Sequence, residues 1–449
     1  MFIVIDSFRA DKFYGKNKTS VTPNIDYIIK NGTYFNQTIG GADATLLSWA
    51  GIFTGKFPFK TGIRSLRFKK LNEETTSYFT HLKNEGYHFN AYVPAVSNTI
   101  GLFPKFENDD YDYDYYWNLS DGLGKKIINL LESKNMNEPW LYYIHIEDLH
   151  FPITLTREFD NEKFGITKYD RKVSCIDYWI GKIIKKIDLT NTILVITADH
   201  GTYIKSITKN GKQIDLEVNG ELQTHVRNLG NLIPKPFQSL KSKLFFFLEN
   251  IRKKRKYAKI KDLDLKPHEQ RALLSQRGDL EHFLYDEHVH IPLLFAGYGI
   301  PKDMIINQLV RSVDIFPTLS DLANLPKMNN TDGRSLKPHF EGKSMDELPA
   351  YMESTPLIEL KTKDVIGVRT STYKYFRDKE DSTKRVFLYN VKQDPFEDNN
   401  LAQLNLEIVH EMEGILQKIL QNKSSIPIDE VNEEETKKIE DELKKLGYI

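Results

Sequence analysis

Cysteine is nearly missing: the 449 residues contain one, Cys175, which excludes an internal disulfide and a thiolate metal cage. No run of 18 apolar residues occurs, so no segment reads as a membrane-spanning helix. Met1 stands directly before the apolar run FIVID, without the basic stretch of a secretory leader, and the expectation is a cytoplasmic protein. An excess of either charge is missing too, with Lys+Arg and Asp+Glu both at 62. That balance gives no electrostatic case for a polyanion, and nucleic acid is not expected as a partner. Internal repeats and low-complexity tracts are also absent.

What the chain does have is apolar material in blocks. Hydrophobic residues make up 40% and aromatics 12%, enough for a large core. The runs FIVID (2–6), LYYIHIE (141–147), TILVITA (192–198) and IPLLFAG (291–297) read as buried parallel strands. Helix-period stretches at 121–133 and 171–187 lie between them. Strands alternating with helices predict an α/β sheet covered on both faces, with polar ligands outside the carboxyl ends of its strands. Shorter strand signals follow from about 350 (AYMES, DVIGVRTSTYKYFRD, RVFLYNV), then a helix at 404–421, which together predict a small antiparallel subdomain. The expected division is a catalytic domain over 1–345, a C-terminal subdomain over 346–424 and a charged helical tail over 425–449. Residues 205–280 read as an insertion in the first of these. Within it, 239–266 carry ten Lys/Arg against three Asp/Glu, and Leu240, Leu244, Phe247, Leu248 and Ile251 fall at helical spacing. That pattern fits either a basic helix packed on the domain surface or a peripheral membrane contact through 239–262.

Two strand runs end on acids at the ligand-binding edge: Asp6 after FIVI, and Asp199 with His200 after TILVITA. Carboxylates and an imidazole there suit one divalent cation, Ca²⁺, Mn²⁺ or Zn²⁺. Asp also ends strands and starts turns, so an ordinary terminator is the competing reading. Thr45 opens a helix-ready stretch, where a hydroxyl commonly serves as an N-cap. His150 follows the third run at the same edge, and His282, His288 and His290 fall within nine residues ahead of the fourth.

The order and wording of these pieces resemble the sulfatase family of the alkaline phosphatase superfamily. The opening VIDSFRADKFYGKNKTSVTPNIDYIIKNGTYFNQT is similar to the family's Asp-x-x-Arg-x-Asp strand end and its Thr-Pro-Asn-x-Asp segment. The likeness continues through Thr54-Gly55-x-x-Pro58, DLHFP, ITADHG, LYDEHVHIPLLF, VDIFPTLSDLANL, DGRSLKPHFEG, GVRTSTYKYF and LYNVKQDPFEDNNLA, in family order to about residue 402. It implies an α/β/α sandwich around a large, mainly parallel mixed sheet with a small C-terminal antiparallel subdomain. It also implies Asp6, Asp199, His200 and Thr45 as metal ligands, Thr45 as nucleophile, and His150 and His282 as catalytic partners. Arg9, Ser7 and His290 are further candidates for contact with the substrate.

The chain departs from that family at its central residue. Sulfatases convert Cys or Ser in a Cys/Ser-x-Pro-x-Arg context into formylglycine, whereas this chain has Thr45, Leu47 and Trp49. Oxidised Thr could give only a ketone, so no formylglycine is expected. A Thr alkoxide is instead a suitable nucleophile toward phosphorus. The expected activity is therefore metal-dependent hydrolysis or transfer of a phosphate or phosphonate ester, of a small molecule or of a glycan or lipid precursor. The alternatives are a sulfuric ester hydrolase using unmodified Thr, and a non-catalytic relative that binds an anion or glycan.

Overall fold

The computed structural model describes every residue except 17, 64–69, 73–74, 114–116, 134–135, 210, 217–250, 277–278, 280, 357–361 and 422–449. The apolar run after Met1 forms β1 (Phe2–Ile5). It is followed along the chain by β2 (Gly32–Ile39), β3 (His88–Pro94), β4 (Asp112–Tyr113), β5 (Trp140–Ile146) and β6 (Ile193–Thr197). A separate hairpin, β7 (Ser206–Lys209) and β8 (Lys212–Asp215), precedes β9 (His290–Gly297) and β10 (Met304–Arg311). Eight of these make one sheet in the order β10-β2-β9-β6-β1-β5-β3-β4. Every neighbouring pair is parallel except those of β9, which runs antiparallel to β2 and β6. The sequence reading made IPLLFAG parallel, and the structure corrects it. A buried apolar run carries no mark of direction, and this one begins at the ligand-binding edge where the other central strands end.

Alternation along the strands divides the core in two. Ile3, Ile5, Ile144, Ile146, Leu194 and Ile196 point to one face, where they meet Ile25, Ile127, Val173 and Ile180 of three helices. Phe2, Val4, Tyr143 and Val195 point to the other, against Trp49, Phe53, Phe79 and Phe316. The result is the expected α/β/α sandwich. The same alternation sends Asp6, His145 and Thr197, two residues beyond Val4, Tyr143 and Val195, to the face covered by helix Thr45–Thr54.

The C-terminal strands β11 (Ala350–Glu353), β12 (Val365–Arg369), β13 (Tyr373–Asp378) and β14 (Phe387–Asn390) form an antiparallel sheet. Helix Leu406–Gln421 packs Met412 and Leu416 against it. This sheet reaches the main one through its chain ends. Glu353 N–H donates to Gly41 O at 3.0 Å, and Thr355 N–H donates to an Asp43 carboxylate oxygen at 2.7 Å. Buried Lys374 completes the join, 2.5 Å from Asp286 and 2.7 Å from Glu397.

In the insertion, a helix over 251–260 packs Ile260 with Leu216 and Leu273 in a small satellite core beside the β7–β8 hairpin. Lys256, in the basic run, is buried and donates to Ser275 O at 3.2 Å. Leu240, Leu244, Phe247, Leu248 and the tail 425–449 lie outside the described residues.

Candidate active site

Asp6 follows β1, and its backbone N–H continues the ladder by donating to Ile146 O at 2.8 Å. Ser7 then turns the chain with φ +61°, the left-handed region that a side chain other than glycine's seldom occupies. That turn has a use. Ser7 Oγ donates to Asp6 Oδ1 at 2.5 Å, Ser7 N–H donates to Asp199 Oδ1 at 3.3 Å, and Ser7 O accepts from Tyr169 at 2.8 Å. One strained residue thus ties together the acids at the ends of two strands. The sequence offered Ser7 as a substrate contact; its hydroxyl is engaged with Asp6.

Thr45 is the first residue of helix Thr45–Thr54, and Ala44 is the N-cap position, without a side-chain cap. The Thr45 hydroxyl lies 3.1 Å from Asp6 Oδ2 and 3.3 Å from His200 Nε2. His200 Nδ1 faces Gly201 O at 2.8 Å, and since a carbonyl only accepts, Nδ1 carries the proton and the Nε2 lone pair faces Thr45. Asp199 Oδ1 accepts from His200 N–H at 2.7 Å, whereas its Oδ2 is buried without a hydrogen-bond partner.

These charges disturb one another. Burial pushes Asp6 up, yet the His145 N–H and the charges of His200 and His150 outweigh it and hold the carboxyl well below its usual range. Asp199 is raised, by burial and by the neighbouring Asp6 charge. For His200, burial acts downward, but Asp199 and Asp6 together raise it.

Two acids with opposed shifts, an orphaned carboxylate oxygen and an outward imidazole lone pair fit a divalent cation. Ligand atoms of Asp6, Asp199 and His200 all lie within 4.8 Å of one another. The cation would be held by these three, with the Thr45 hydroxyl beside them.

The remaining candidates separate. His150 Nδ1 donates to Phe151 O at 2.9 Å, and its charge is among those acting on Asp6. His282 Nδ1 is 3.5 Å from Asp43 Oδ2; burial lowers its basicity, but Asp43 reverses this and raises it. His282 Nε2 is buried without a partner. Arg9 is clamped by Asp11 through two bonds of 2.8 and 2.9 Å. His290, at the start of β9, donates from Nε2 to Asn36 O at 2.9 Å and lies beside Asp286, so it is engaged in the strand's own support. His288, not His290, shares the electrostatic surroundings of His200, Asp43 and His282. Its Nδ1 is buried without a partner, and burial brings it down to about 3.

Sequence reasoning missed His145 and Glu147. With Asp6 they form a second group whose ligand atoms lie within 4.8 Å of one another. The available signal was their spacing of two in a buried strand run, which puts both on one face.

A mixed, mainly parallel sheet with carboxylates and histidines at its strand ends, and a hydroxyl at a helix start above them, defines an alkaline phosphatase-like hydrolase fold. The sulfatase family model matches residues 1–325, and the model of the N-sulphoglucosamine sulphohydrolase C-terminal region matches 280–424. The chain belongs to the sulfatase family. Among its relatives, arylsulfatase K of Gallus gallus is 23% identical over 465 residues, covering 94% of this chain and 82% of the relative. Delta 4,5-hexuronate-2-O-sulfatase of Bacteroides thetaiotaomicron is 34% identical over 140 residues, covering 29% and 28%. A solved 2-O GAG sulfatase superposes with TM-score 0.66 at 18% identity, covering 94% of this chain and 92% of its own. The phosphonate monoester hydrolase of Agrobacterium radiobacter superposes with TM-score 0.64 at 14% identity, covering 94% and 95%.

Proposed function

We propose that the chain is a sulfuric ester hydrolase in which unmodified Thr45 is the nucleophile, and that its substrate is a sulfated uronate-type sugar. The observation that carries the mechanism is the Thr45 hydroxyl between Asp6 Oδ2 and His200 Nε2, beside the unpaired Asp199 Oδ2. The sugar assignment rests on the relatives named for arylsulfatase and hexuronate-2-O-sulfatase activity. Their names weigh toward sulfate over the phosphate ester expected from the Thr alone.

A divalent cation bound by Asp6, Asp199 and His200 would draw charge from the ester oxygens and from the attacking hydroxyl; the imidazole in that set favours Mn²⁺ or Zn²⁺ over Ca²⁺. Thr45 gives up its proton to Asp6 Oδ2, the acceptor of its hydrogen bond, and Oγ1 attacks sulfur. The bond from sulfur to the sugar oxygen breaks, and that oxygen takes the Nε2 proton of His150 in its doubly protonated form. The resulting Thr45 sulfate ester is cleaved when water attacks sulfur and gives a proton back to His150, while Oγ1 recovers its own proton from Asp6 and sulfate leaves. His282, with its basicity raised by Asp43, is assigned to the anionic oxygens of the ester.

A second reading, phosphate or phosphonate monoester hydrolysis by the same groups, is favoured by the Thr nucleophile and by the shared fold of the phosphonate monoester hydrolase. Turnover of aryl sulfate, aryl phosphate, phenylphosphonate ester and a 2-O-sulfated unsaturated hexuronate by one preparation decides between them. A higher kcat/KM for the phosphorus esters would replace the sulfate assignment.

A further inference from the structure

The second cluster, Asp6 with His145 and Glu147, has the composition of another cation site. The proton on His145 argues otherwise. Trp49 Nε1 lies 3.3 Å from His145 Nδ1, with the two rings 4.9 Å apart and perpendicular. An indole N–H can only donate, so Nδ1 must accept and carries no proton. Tyr143 OH, at 3.2 Å, meets the same nitrogen. Neutral His145 therefore carries its proton on Nε2, which is buried, has no closed hydrogen bond, and lies 3.6 Å from Asp6 Oδ2. A cation on Nε2 would need a lone pair there. The proton would then sit on Nδ1, pointing head-on at the indole N–H.

We propose that Trp49 and His145 are positioning residues that hold Asp6 as a ligand: the indole fixes the His145 tautomer, and His145 presents an N–H to Asp6 Oδ2. The idea rests on the reading of Asp6 as a cation ligand. It explains a local feature of the sequence. Trp49 is four residues after Thr45, one helical turn along the same face, so a single helix delivers both the hydroxyl that touches Asp6 and the group that orients its other neighbour. Trp49 and His145 are both fully buried, and Phe103 braces the indole edge-on at 5.5 Å.

The test is calorimetric titration of Mn²⁺ into the chelator-stripped full chain and three variants, with thermal melting of the cation-free proteins as the check on folding. Wild type should bind one ion. His145→Leu should weaken binding roughly 10–100-fold, while His145→Gln, which keeps an N–H at similar reach, should recover most of it. Trp49→Phe keeps the ring and removes only the N–H, so it should weaken binding in the same direction without unfolding the protein. With saturating Mn²⁺ and an aryl sulfate, these losses should appear in kcat and leave KM nearly unchanged. Wild-type affinity in both Trp49→Phe and His145→Leu would overturn the relay. Two ions in wild type falling to one in His145→Leu would overturn it in favour of a second cation site. No ion in wild type would instead overturn the reading of Asp6 as a ligand, and the relay with it.

Discussion

Replacing Thr45 by Val keeps the branched shape of a side chain that is buried at the first position of its helix and removes only the hydroxyl. In the cation-free protein, Asp6 Oδ2 and His200 Nε2 each lose one neighbour, at 3.1 and 3.3 Å. The cost is about 1.5–3 kcal/mol, the usual value for a hydrogen bond to a charged group. The variant should therefore fold and melt a few degrees lower. Its Mn²⁺ affinity should stay within roughly tenfold of wild type, because the two carboxylates and the imidazole remain. Turnover should fall by about three orders of magnitude or more, close to 4 kcal/mol in the barrier. Thr45→Ser should retain most activity, since only the hydroxyl reacts. Mass spectrometry of residues 41–55 should find unmodified Thr in the resting enzyme, and a sulfo-group mass on Thr45 after rapid quench with a slow aryl sulfate. Wild-type turnover by Thr45→Val would make Thr45 an ordinary helix residue and end its assignment as nucleophile.

Asp199→Ala should bind Mn²⁺ far more weakly and lose turnover that added Mn²⁺ does not restore; full cation occupancy would remove Asp199 from the site. His288 should make the protein acid-sensitive. Burial lowers its pKa from 6.5 to about 3, so its contribution to stability is complete above 6.5 and is lost as pH falls through that value. Between pH 7 and 5 the loss comes to about 1–2 kcal/mol, since the ring is partly open to solvent. Urea midpoints of His288→Phe should lack this part of the pH dependence, and parallel wild-type and variant curves would refute it. Gly201→Ala would set a Cβ 2.2 Å from Glu287 O, a backbone atom that cannot swing aside. About 1–3 kcal/mol of destabilisation is expected, with weaker cation binding because His200 is the preceding residue. A fully stable, active variant would mean that the 285–289 segment moves freely.

Much of the fold was legible because buried strands and amphipathic helices differ in length and period. FIVID, LYYIHIE and TILVITA became β1, β5 and β6 within a residue or two, and 171–187 became the helix Lys168–Ile184. The direction of β9 was hidden, since a strand buried on both faces has the same composition in either sense. Its reversal changes which residues approach the site: those before the strand, Asp286 to Val289, rather than those after it. Their backbone ties, Val289 O to Gly40 N–H and His288 O to Gly201 N–H, fix that approach at 2.7 Å each. This is why spacing alone does not separate the three histidines. His290 is already in the ladder opposite Ile39, while His288 sits two residues earlier, within electrostatic reach of His200. The positive φ of Ser7 had no signal at all in its residue type. His145 was passed over because a histidine inside an apolar strand reads as a satisfied core residue.

The substitutions at Thr45 and Trp49 belong together physically. An Arg at position 49, as the formylglycine signal requires, would put a guanidinium into a pocket bounded by Phe53, Phe103 and Tyr143 and facing His145 Nδ1. A buried cation there needs a carboxylate, and those nearby are Asp6, already shared by Ser7, Thr45 and His145, and Glu147 in the same cluster. The indole fills the same space without charge and keeps one directed N–H. On the proposed reading, an unmodified nucleophile stands one turn from a residue that would block maturation, and both residues leave the Asp6 carboxylate to the strand-end cluster. Restoring Cys at position 45 alone would supply the thiol but neither the signal nor a partner for Arg. If Thr45 acts in place of formylglycine as proposed, the difference is one of the whole helix face, not of one side chain.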